Sequence, residues 1–200
     1  MTKTTQQLKA LISTPKKIVI TTHRGPDGDA MGSSLALCNF LEQLGHTVNV
    51  ITPNEYAKFL HWLPGNDAVI NYEENEEKAA AITAEADLIF LLDFSHLSRI
   101  ATFASAVSKS KATKIMIDHH QDPDTDIAEL IFSDTTACST AQLVYEVMEA
   151  MEMTTYLNKA IAECLYVGIM TDTGSFKYAS TTAKTHHVIA ELINAGAENA

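Results

Sequence analysis

Short apolar runs that are typical of strands alternate with segments of helical periodicity along most of this 200-residue chain. Residues 30–44 place apolar side chains at helical spacing, and Gly45 offers a stop for that helix. Strands that alternate with helices predict a mostly parallel sheet with right-handed crossovers. The fold expected is therefore α/β, a doubly wound, mostly parallel sheet flanked by helices. The clearest strand runs are Ile18–Thr22, Thr47–Ile51, Leu88–Leu92 and Ile115–Ile117.

Weaker patterns complete the predicted order of elements. Short strands are expected at residues 68–70 and 130–132, and helices at residues 73–86 and 100–108. From Ser139 onward the pattern changes to helix after helix, and these C-terminal helices are expected to close the domain. The first of them opens with a sequence of capping-box form. Their predicted bounds are residues 139–151, 156–170 and 181–195.

Aspartate and histidine residues are gathered in four clusters, and three of the four directly follow an apolar run of strand type. In a parallel α/β sheet the carboxyl ends of the strands meet at one crevice. Residues far apart in the sequence would then form one pocket of carboxylates and imidazoles, which repel one another unless cations fill it. The chain is therefore expected to bind metal ions. The clusters are His23–Asp29, Asp93, Asp118–His120 and Asp172.

The first cluster allows two other interpretations. A dinucleotide-binding turn belongs between a strand and a helix, but Asp27 and Asp29 would repel the pyrophosphate there and the glycine spacing is wrong. Alternatively, the two carboxylates merely cap the helix, where negative charge is favoured. Capping alone explains neither His23 nor the other three clusters, and Asp172 at the end of a helix has a similar local alternative.

The mixture of carboxylates and imidazoles indicates which metals the pocket prefers. Mg²⁺ favours an all-oxygen shell, whereas imidazole favours Mn²⁺, Co²⁺, Fe²⁺ or Zn²⁺. A receiver-type phosphoacceptor module, which gathers aspartates around one Mg²⁺ without turnover, is the alternative of a different class. Asp27 and Asp29 need not bind the same ion, and Asp93 between them could bridge two. Such a pair would polarise a phosphoryl group and activate water, so hydrolysis of phosphate esters or anhydrides is expected.

The tripeptide Asp118-His119-His120 is the sharpest signal in the sequence. Adjacent residues at a strand end point in different directions, so one histidine can bind metal while the other faces the substrate. Asp118 can orient an imidazole ring from behind. The remaining histidines are interpreted as solvated or structural residues: His46, His61, His96, His186 and His187.

Composition narrows the functional classes. The net charge of −11 argues against a basic patch that holds nucleic acid, so cations must supply much of the attraction for any phosphate substrate. No apolar stretch is long enough for a membrane span, and the N-terminus lacks the apolar core of a signal peptide. Three scattered cysteines, interpreted as core residues, predict a reduced, cytoplasmic protein.

These motifs, in this order, resemble the DHH phosphoesterase superfamily. The first motif reads His23-x-x-Pro-Asp27-Gly-Asp29. The resemblance implies two Mn²⁺ ions, with Co²⁺ or Mg²⁺ as substitutes. It assigns His23 and Asp27 to one ion, and Asp29, His119 and Asp172 to the other. It makes Asp93 the ligand that bridges the two ions and places His120 in contact with the scissile phosphate. It also implies that Asp118 supports the histidines.

Within the superfamily the chain looks most like the branch that degrades nanoRNA and dephosphorylates phosphoadenosine phosphate. The expected substrates are short oligonucleotides or nucleotides, with pyrophosphate or polyphosphate as the alternative. No membrane partner is expected. A homodimer is compatible with the resemblance. Residues 1–200 correspond to the catalytic domain. The family normally continues into a smaller C-terminal substrate-binding domain with a glycine- and histidine-rich motif, which this sequence lacks. We therefore expect either a truncated form of a longer protein or an isolated catalytic domain, which binds metal but hydrolyses oligonucleotides poorly.

Overall fold

Six parallel strands form one sheet, flanked by seven α-helices, within residues 2–198, the part of the chain that the computed structural model describes. The strands are β1 Lys17–Thr22, β2 Thr47–Thr52, β3 Ile70–Asn71, β4 Leu88–Leu92, β5 Thr113–Asp118 and β6 Leu130–Ser133. The helices are α1 Lys3–Leu11, α2 Gly28–Gln43, α3 Glu76–Ala84, α4 Ala104–Lys109, α5 Thr140–Ala150, α6 Lys159–Asp172 and α7 Ala183–Asn194. Short 3₁₀ helices lie at Lys58–Leu60, Asn66–Ala68, Leu97–Phe103 and Thr154–Tyr156.

The strand order is β3-β2-β1-β4-β5-β6, and each neighbouring pair is parallel. This confirms the predicted doubly wound α/β fold. The order reverses between β1 and β4, and ligands of such sheets bind in the crevice beyond the carboxyl ends of the strands at that point. A receiver-type domain has the order 2-1-3-4-5 instead. The topology therefore argues against the receiver alternative.

The strands are buried on both faces because helices cover both sides of the sheet. Alternate residues of β1 illustrate this: Ile18 and Ile20 pack in the larger core beneath α2, α5 and α6, whereas Val19 packs in the smaller core beneath α3 and α4. All five residues of β4 are buried. Continuous apolar runs of this kind are what a parallel sheet requires.

Helices α2 and α6 pack very closely because glycines lie at their contact. A Cβ atom on Gly32 would lie 2.5 Å from the Cys164 carbonyl oxygen. A Cβ atom on Gly168 would lie 2.5 Å from the Ala141 Cβ and 3.0 Å from Asp29 Oδ1. Only glycine fits these positions without displacing a neighbour. The glycines let the start of α2 and the end of α6 approach each other, and both of those helix ends carry aspartates of the predicted site.

Several local predictions differ from the structure. The helix expected at residues 100–108 is a 3₁₀ segment followed by α4, because Ala101 has a positive φ of 50° that interrupts the α-helical backbone. Helix α1 was not predicted, since its sequence is largely polar. The capping box at the start of α5 is only half formed. Ser139 Oγ accepts the Gln142 amide N–H at 3.0 Å, but the Gln142 side chain hydrogen-bonds to Glu146 instead.

Two predictions drawn from composition can be compared with the described residues. None of the helices within residues 2–198 is long and apolar enough to cross a lipid bilayer. The three cysteines are free and buried, as expected of core residues. Cys38 and Cys164 lie in helices, and Cys138 directly precedes Ser139, the residue that caps α5.

Candidate metal centre

The carboxyl ends of β1, β4 and β5 bring three of the four clusters side by side. In the sheet register Thr22 pairs with Leu92, and Leu92 pairs with Ile117. The next residues along the three strands are His23, Asp93 and Asp118, which therefore lie next to one another. Asp27 and Asp29 reach the same crevice from the start of α2, and Asp172 reaches it from the end of α6.

A first group of possible metal ligands consists of His23, Asp27 and Asp93, whose ligand atoms lie within 4.8 Å of one another. His23 Nε2 lies 3.8 Å from Asp27 Oδ2 and 3.4 Å from Asp93 Oδ2. The other ring nitrogen, Nδ1, lies 3.0 Å from the Arg24 carbonyl oxygen. Because a carbonyl oxygen only accepts, Nδ1 donates this hydrogen bond, and in the neutral ring Nε2 keeps its lone pair directed at the carboxylates.

Asp27 has two functions in this group, so the capping interpretation is partly correct. Its Oδ1 accepts the amide N–H groups of Asp29 and Ala30, each at 3.0 Å, and thus caps α2. Its Oδ2 faces His23 and is not used by the cap. Asp29 lies beyond the cap, in the first turn of α2, and does not cap it.

A second group consists of Asp29, His119 and Asp172, again with ligand atoms within 4.8 Å of one another. His119 Nε2 lies 3.8 Å from Asp29 Oδ2 and 3.4 Å from Asp172 Oδ2. The same nitrogen lies 3.6 Å from Asp93 Oδ1. The two groups contain the same residues that the resemblance assigns to the two ions.

Asp93 lies between the two groups and offers a different oxygen to each. Oδ2 faces His23, whereas Oδ1 faces His119. The residue is buried, and its φ of 65° lies in the left-handed region, which is strained for a residue with a side chain. Strain of this kind is found where surrounding structure enforces a functional side-chain direction.

The amino end of α5 makes contacts that the sequence did not predict. The amide N–H groups of Thr140 and Ala141 donate to the two Asp29 carboxylate oxygens at 2.6 and 2.8 Å. The Thr140 hydroxyl lies 2.9 Å from Asp93 Oδ1. The capping pattern at Ser139 indicated where α5 begins, but no local signal indicated which carboxylates its first turn would meet.

The electrostatics of the pocket favour bound cations. Burial, followed by the charges of Asp93 and Asp172, raises the pKa of the Asp29 carboxyl well above its usual range. Burial is also the main cause of the raised pKa of Asp172. Negative charge is thus concentrated in a poorly solvated place. The donor set of carboxylate oxygens and imidazole nitrogens fits divalent transition metals such as Mn²⁺.

His120 lies at the mouth of the pocket, with its side chain 47% exposed. Its Nδ1 is 2.7 Å from Asp118 Oδ1, and this hydrogen bond is the main cause of its raised pKa. Among the described residues, Asp118 makes a hydrogen bond with His120 but none with His119. His119 directs Nε2 at Asp29 and Asp172, whereas His120 lies nearer the mouth. The two ring centroids are 4.7 Å apart, and Asp93, His119 and His120 form a third, overlapping group of possible metal ligands.

The remaining histidines lie outside both groups, in agreement with the sequence interpretation. His46 accepts the Lys16 amide N–H, and His61 and His96 lie beside Glu55 and Asp124 at the surface. His186 and His187 are exposed on α7.

Curated proteins that resemble this chain include two described as "Bifunctional oligoribonuclease and PAP phosphatase NrnA". The one from Bacillus subtilis is 32% identical over 191 residues, which are 94% of this chain and 56% of the relative. The one from Thermus thermophilus is 31% identical over 179 residues, which are 90% of this chain and 50% of the relative. The chain thus spans about half the length of the curated relatives it matches.

Solved structures show the same architecture. An exopolyphosphatase-related protein from Bacteroides fragilis is 38% identical, has a TM-score of 0.95, and is matched over 99% of this chain and 59% of its own. A putative family II inorganic pyrophosphatase from Methanococcus jannaschii is 20% identical with a TM-score of 0.61, over 89% of this chain and 56% of its own, and shares the fold.

The family model described as "DHH family, N-terminal domain" matches residues 17–169, which include β1 to β6 and most of α6. The matched range contains seven of the eight predicted site residues, and Asp172 lies three residues beyond it. This match confirms the resemblance that the motifs suggested: the chain belongs to the DHH family.

Proposed function

We propose that this protein is a Mn²⁺-dependent phosphohydrolase that cleaves phosphoester bonds of short oligonucleotides or nucleotides. The observation that carries the proposal is the Asp93 carboxylate, whose two oxygens face two separate groups of ligands. A carboxylate shared in this way is the core of a two-metal hydrolytic site. The names of the two relatives, oligoribonuclease and PAP phosphatase, support this substrate class.

His23, Asp27 and Asp93 would hold one ion, and Asp29, His119, Asp172 and Asp93 would hold the other. When bound, the two ions would polarise the phosphoryl group and lower the pKa of a water molecule that attacks it. The protein contributes a fixed arrangement of ligands. Asp29 is immobilised by two amide donors, and the Asp93 carboxylate lies between His23 and His119.

His120 is the residue that we assign to the substrate. Asp118 raises the pKa of His120, so the imidazole retains its proton to higher pH than a free histidine does. With Nδ1–H donated to Asp118, Nε2–H can donate to a phosphate oxygen and stabilise the charge that develops on it. Asp118 is fully buried, so it serves to orient His120 rather than to meet the substrate.

Pyrophosphate or polyphosphate hydrolysis is the second candidate. The observation that favours it is the Bacteroides fragilis structure, described as exopolyphosphatase-related and 38% identical to this chain. The same ligand groups would serve either reaction, because both proceed by attack of water at phosphorus. Substrate specificity depends on the residues that surround the phosphate. The matched relatives are about twice as long as this chain, and we propose that many of their specificity-determining residues lie outside the half that it matches.

The test is an assay of the purified protein with Mn²⁺ against pApA, 3′-phosphoadenosine 5′-phosphate and pyrophosphate. Long incubations at high substrate concentration are appropriate, since we expect the 200 residues alone to bind oligonucleotides weakly. The D93A variant should be inactive, and D67A, which removes an exposed carboxylate outside the ligand groups, should match the wild type. Hydrolysis of pyrophosphate but of neither nucleotide would favour the second candidate, and hydrolysis that persists in D93A would contradict the site.

A further inference from the structure

Thr140, the first residue of α5, contacts two buried carboxylates of the crevice. Its hydroxyl lies 2.9 Å from Asp93 Oδ1, and its amide N–H donates to Asp29 Oδ2 at 2.6 Å. The residue itself is fully buried. One residue that lies far from β4 and α2 in the sequence therefore links a ligand of the second group to the ligand that both groups share.

The position of Thr140 in its helix explains why its hydroxyl is available. Buried threonines within helices commonly donate to the carbonyl oxygen four residues earlier, as Thr83 does to Ala79 and Thr173 does to Ile169. At the first position of a helix no preceding turn supplies that carbonyl. Ser139 already caps α5 through the Gln142 amide, so the Thr140 hydroxyl is not needed for capping.

The hydroxyl acts on the one carboxylate whose orientation matters to both ligand groups. A carboxylate turns readily about its last side-chain torsion, because that torsion has only broad preferences. The Thr140 hydrogen bond to Oδ1 limits this rotation, and it leaves Oδ2 facing His23 at 3.4 Å. Oδ1 meanwhile stays 3.6 Å from His119. The backbone of Asp93 is itself strained, so a side-chain contact helps to maintain its direction.

We propose that Thr140 is a positioning residue for metal binding, whose hydroxyl fixes the Asp93 carboxylate so that both ligand groups can use it. The inference deepens the proposed function, and it rests on the metal centre rather than on any particular substrate. Because Asp93 belongs to both groups, loss of the hydroxyl should weaken both metal sites. The amide contacts to Asp29 come from the backbone and should persist in a side-chain variant.

The experiment compares the T140V and T140S variants with the wild type. Valine has nearly the shape of threonine but cannot donate, whereas serine keeps the hydroxyl and loses a methyl group. T83V is the matched control, since it removes a buried helical threonine hydroxyl that bonds only to its own helix on the other face of the sheet. Calorimetry measures Mn²⁺ affinity and stoichiometry, and electron paramagnetic resonance reports the environment of bound Mn²⁺. Thermal unfolding in the presence of chelator measures the stability of each metal-free variant.

Loss of an outer-shell partner typically costs roughly 10–100-fold in metal affinity, and we expect T140V to show a loss of this size for both ions. T140S should bind Mn²⁺ like the wild type and give the same resonance spectrum, and T83V should do the same. If T140V does not fold in chelator, the T140A variant replaces it, with T140S again as the rescue.

Either of two results with the variants would overturn the inference: wild-type Mn²⁺ affinity in the valine or alanine variant, or a T140S variant as weak as T140V. A wild-type protein that binds no divalent cation would overturn it as well. A wild-type protein that binds two ions but hydrolyses no phosphoester would refute the proposed function. The comparison of the Thr140 variants would stand in that case, since it is read from metal binding alone.

Discussion

The two ligand groups are built in different ways. In the first group, His23 and Asp27 come from one short connection between β1 and α2, and the Asp27 side chain is 60% exposed. In the second group the ligands come from α2, β5 and α6, and Asp29 is only 1% exposed. Two ligands of the first group are thus close together in the sequence and one of them is exposed, whereas the three ligands of the second group are brought together only by tertiary packing. A change in packing should therefore affect the second group more strongly than the first.

Asp93 belongs to both groups, so its removal should have the largest effect on metal binding. Both groups should be affected alike. The D93A variant should lose both Mn²⁺ ions, and its activity should fall by more than roughly 100-fold, beyond what an outer-shell change costs. Metal content after dialysis, together with the hydrolysis rate, checks this. Retention of two tightly bound ions would show that the carboxylate is not shared.

A methyl group added at Gly168 should impair metal binding by the second ligand group but not by the first. The added Cβ would lie 3.0 Å from Asp29 Oδ1 and 2.5 Å from the Ala141 Cβ, so G168A should destabilise the fold by about 1–3 kcal/mol. We expect Asp29 to be displaced and the second group to lose its ion, while the first group keeps its own. Urea unfolding in chelator and Mn²⁺ titration are the measurements.

The control for that change is G32A. It crowds the same helix contact, but the three atoms nearest its added Cβ are the Cys164 carbonyl oxygen and two backbone atoms of Gly168, not the Asp29 carboxylate. It should cost similar stability and disturb Mn²⁺ binding less. Equal losses at both sites in the two variants would mean that the second group is no more dependent on packing than the first.

His120 should matter to turnover but not to either ion. The H120A variant should lower kcat by roughly 100–1,000-fold, as loss of a donor to developing negative charge does, with Mn²⁺ stoichiometry unchanged. H187A, which removes an exposed histidine on α7, serves as its control. Steady-state kinetics and metal analysis check both. Loss of one ion in H120A would instead make His120 a ligand, as its proximity to Asp93 and His119 allows.

Asp27 should give the smallest effect, because it is exposed and its cap can be replaced. Asparagine is an equally good N-cap residue, so D27N should keep the stability of the fold and weaken only the first ion. D27A should lose the cap as well, at a cost of about 1 kcal/mol. Unfolding in chelator separates the two variants. A stability loss in D27N equal to that in D27A would contradict the capping role of Oδ1.

The fold and the membership of the pocket followed from local patterns. Short apolar runs such as Leu88–Leu92 indicated the strands, and a parallel sheet then placed His23, Asp93 and Asp118 at one edge. Capping by Asp27 was likewise a local pattern. These features depend on sequence neighbours, so they could be predicted before the packing was known.

Other features depend on contacts between distant segments and have no local signal. The close approach of Gly168 to Asp29 requires knowledge of how α2 and α6 cross. The contacts of Thr140 with Asp93 and Asp29 require the position of α5. The positive φ of Asp93 also appears only in the folded chain, because aspartate does not demand that conformation.

The most direct test of the shared carboxylate is anomalous diffraction from crystals of the protein grown with Mn²⁺. We expect two manganese peaks about 3.5–4 Å apart, as in two-metal hydrolytic sites, with one Asp93 oxygen facing each. One peak should lie among His23, Asp27 and Asp93, and the other among Asp29, His119 and Asp172. A single peak, or two peaks that do not share Asp93, would contradict the two-metal site.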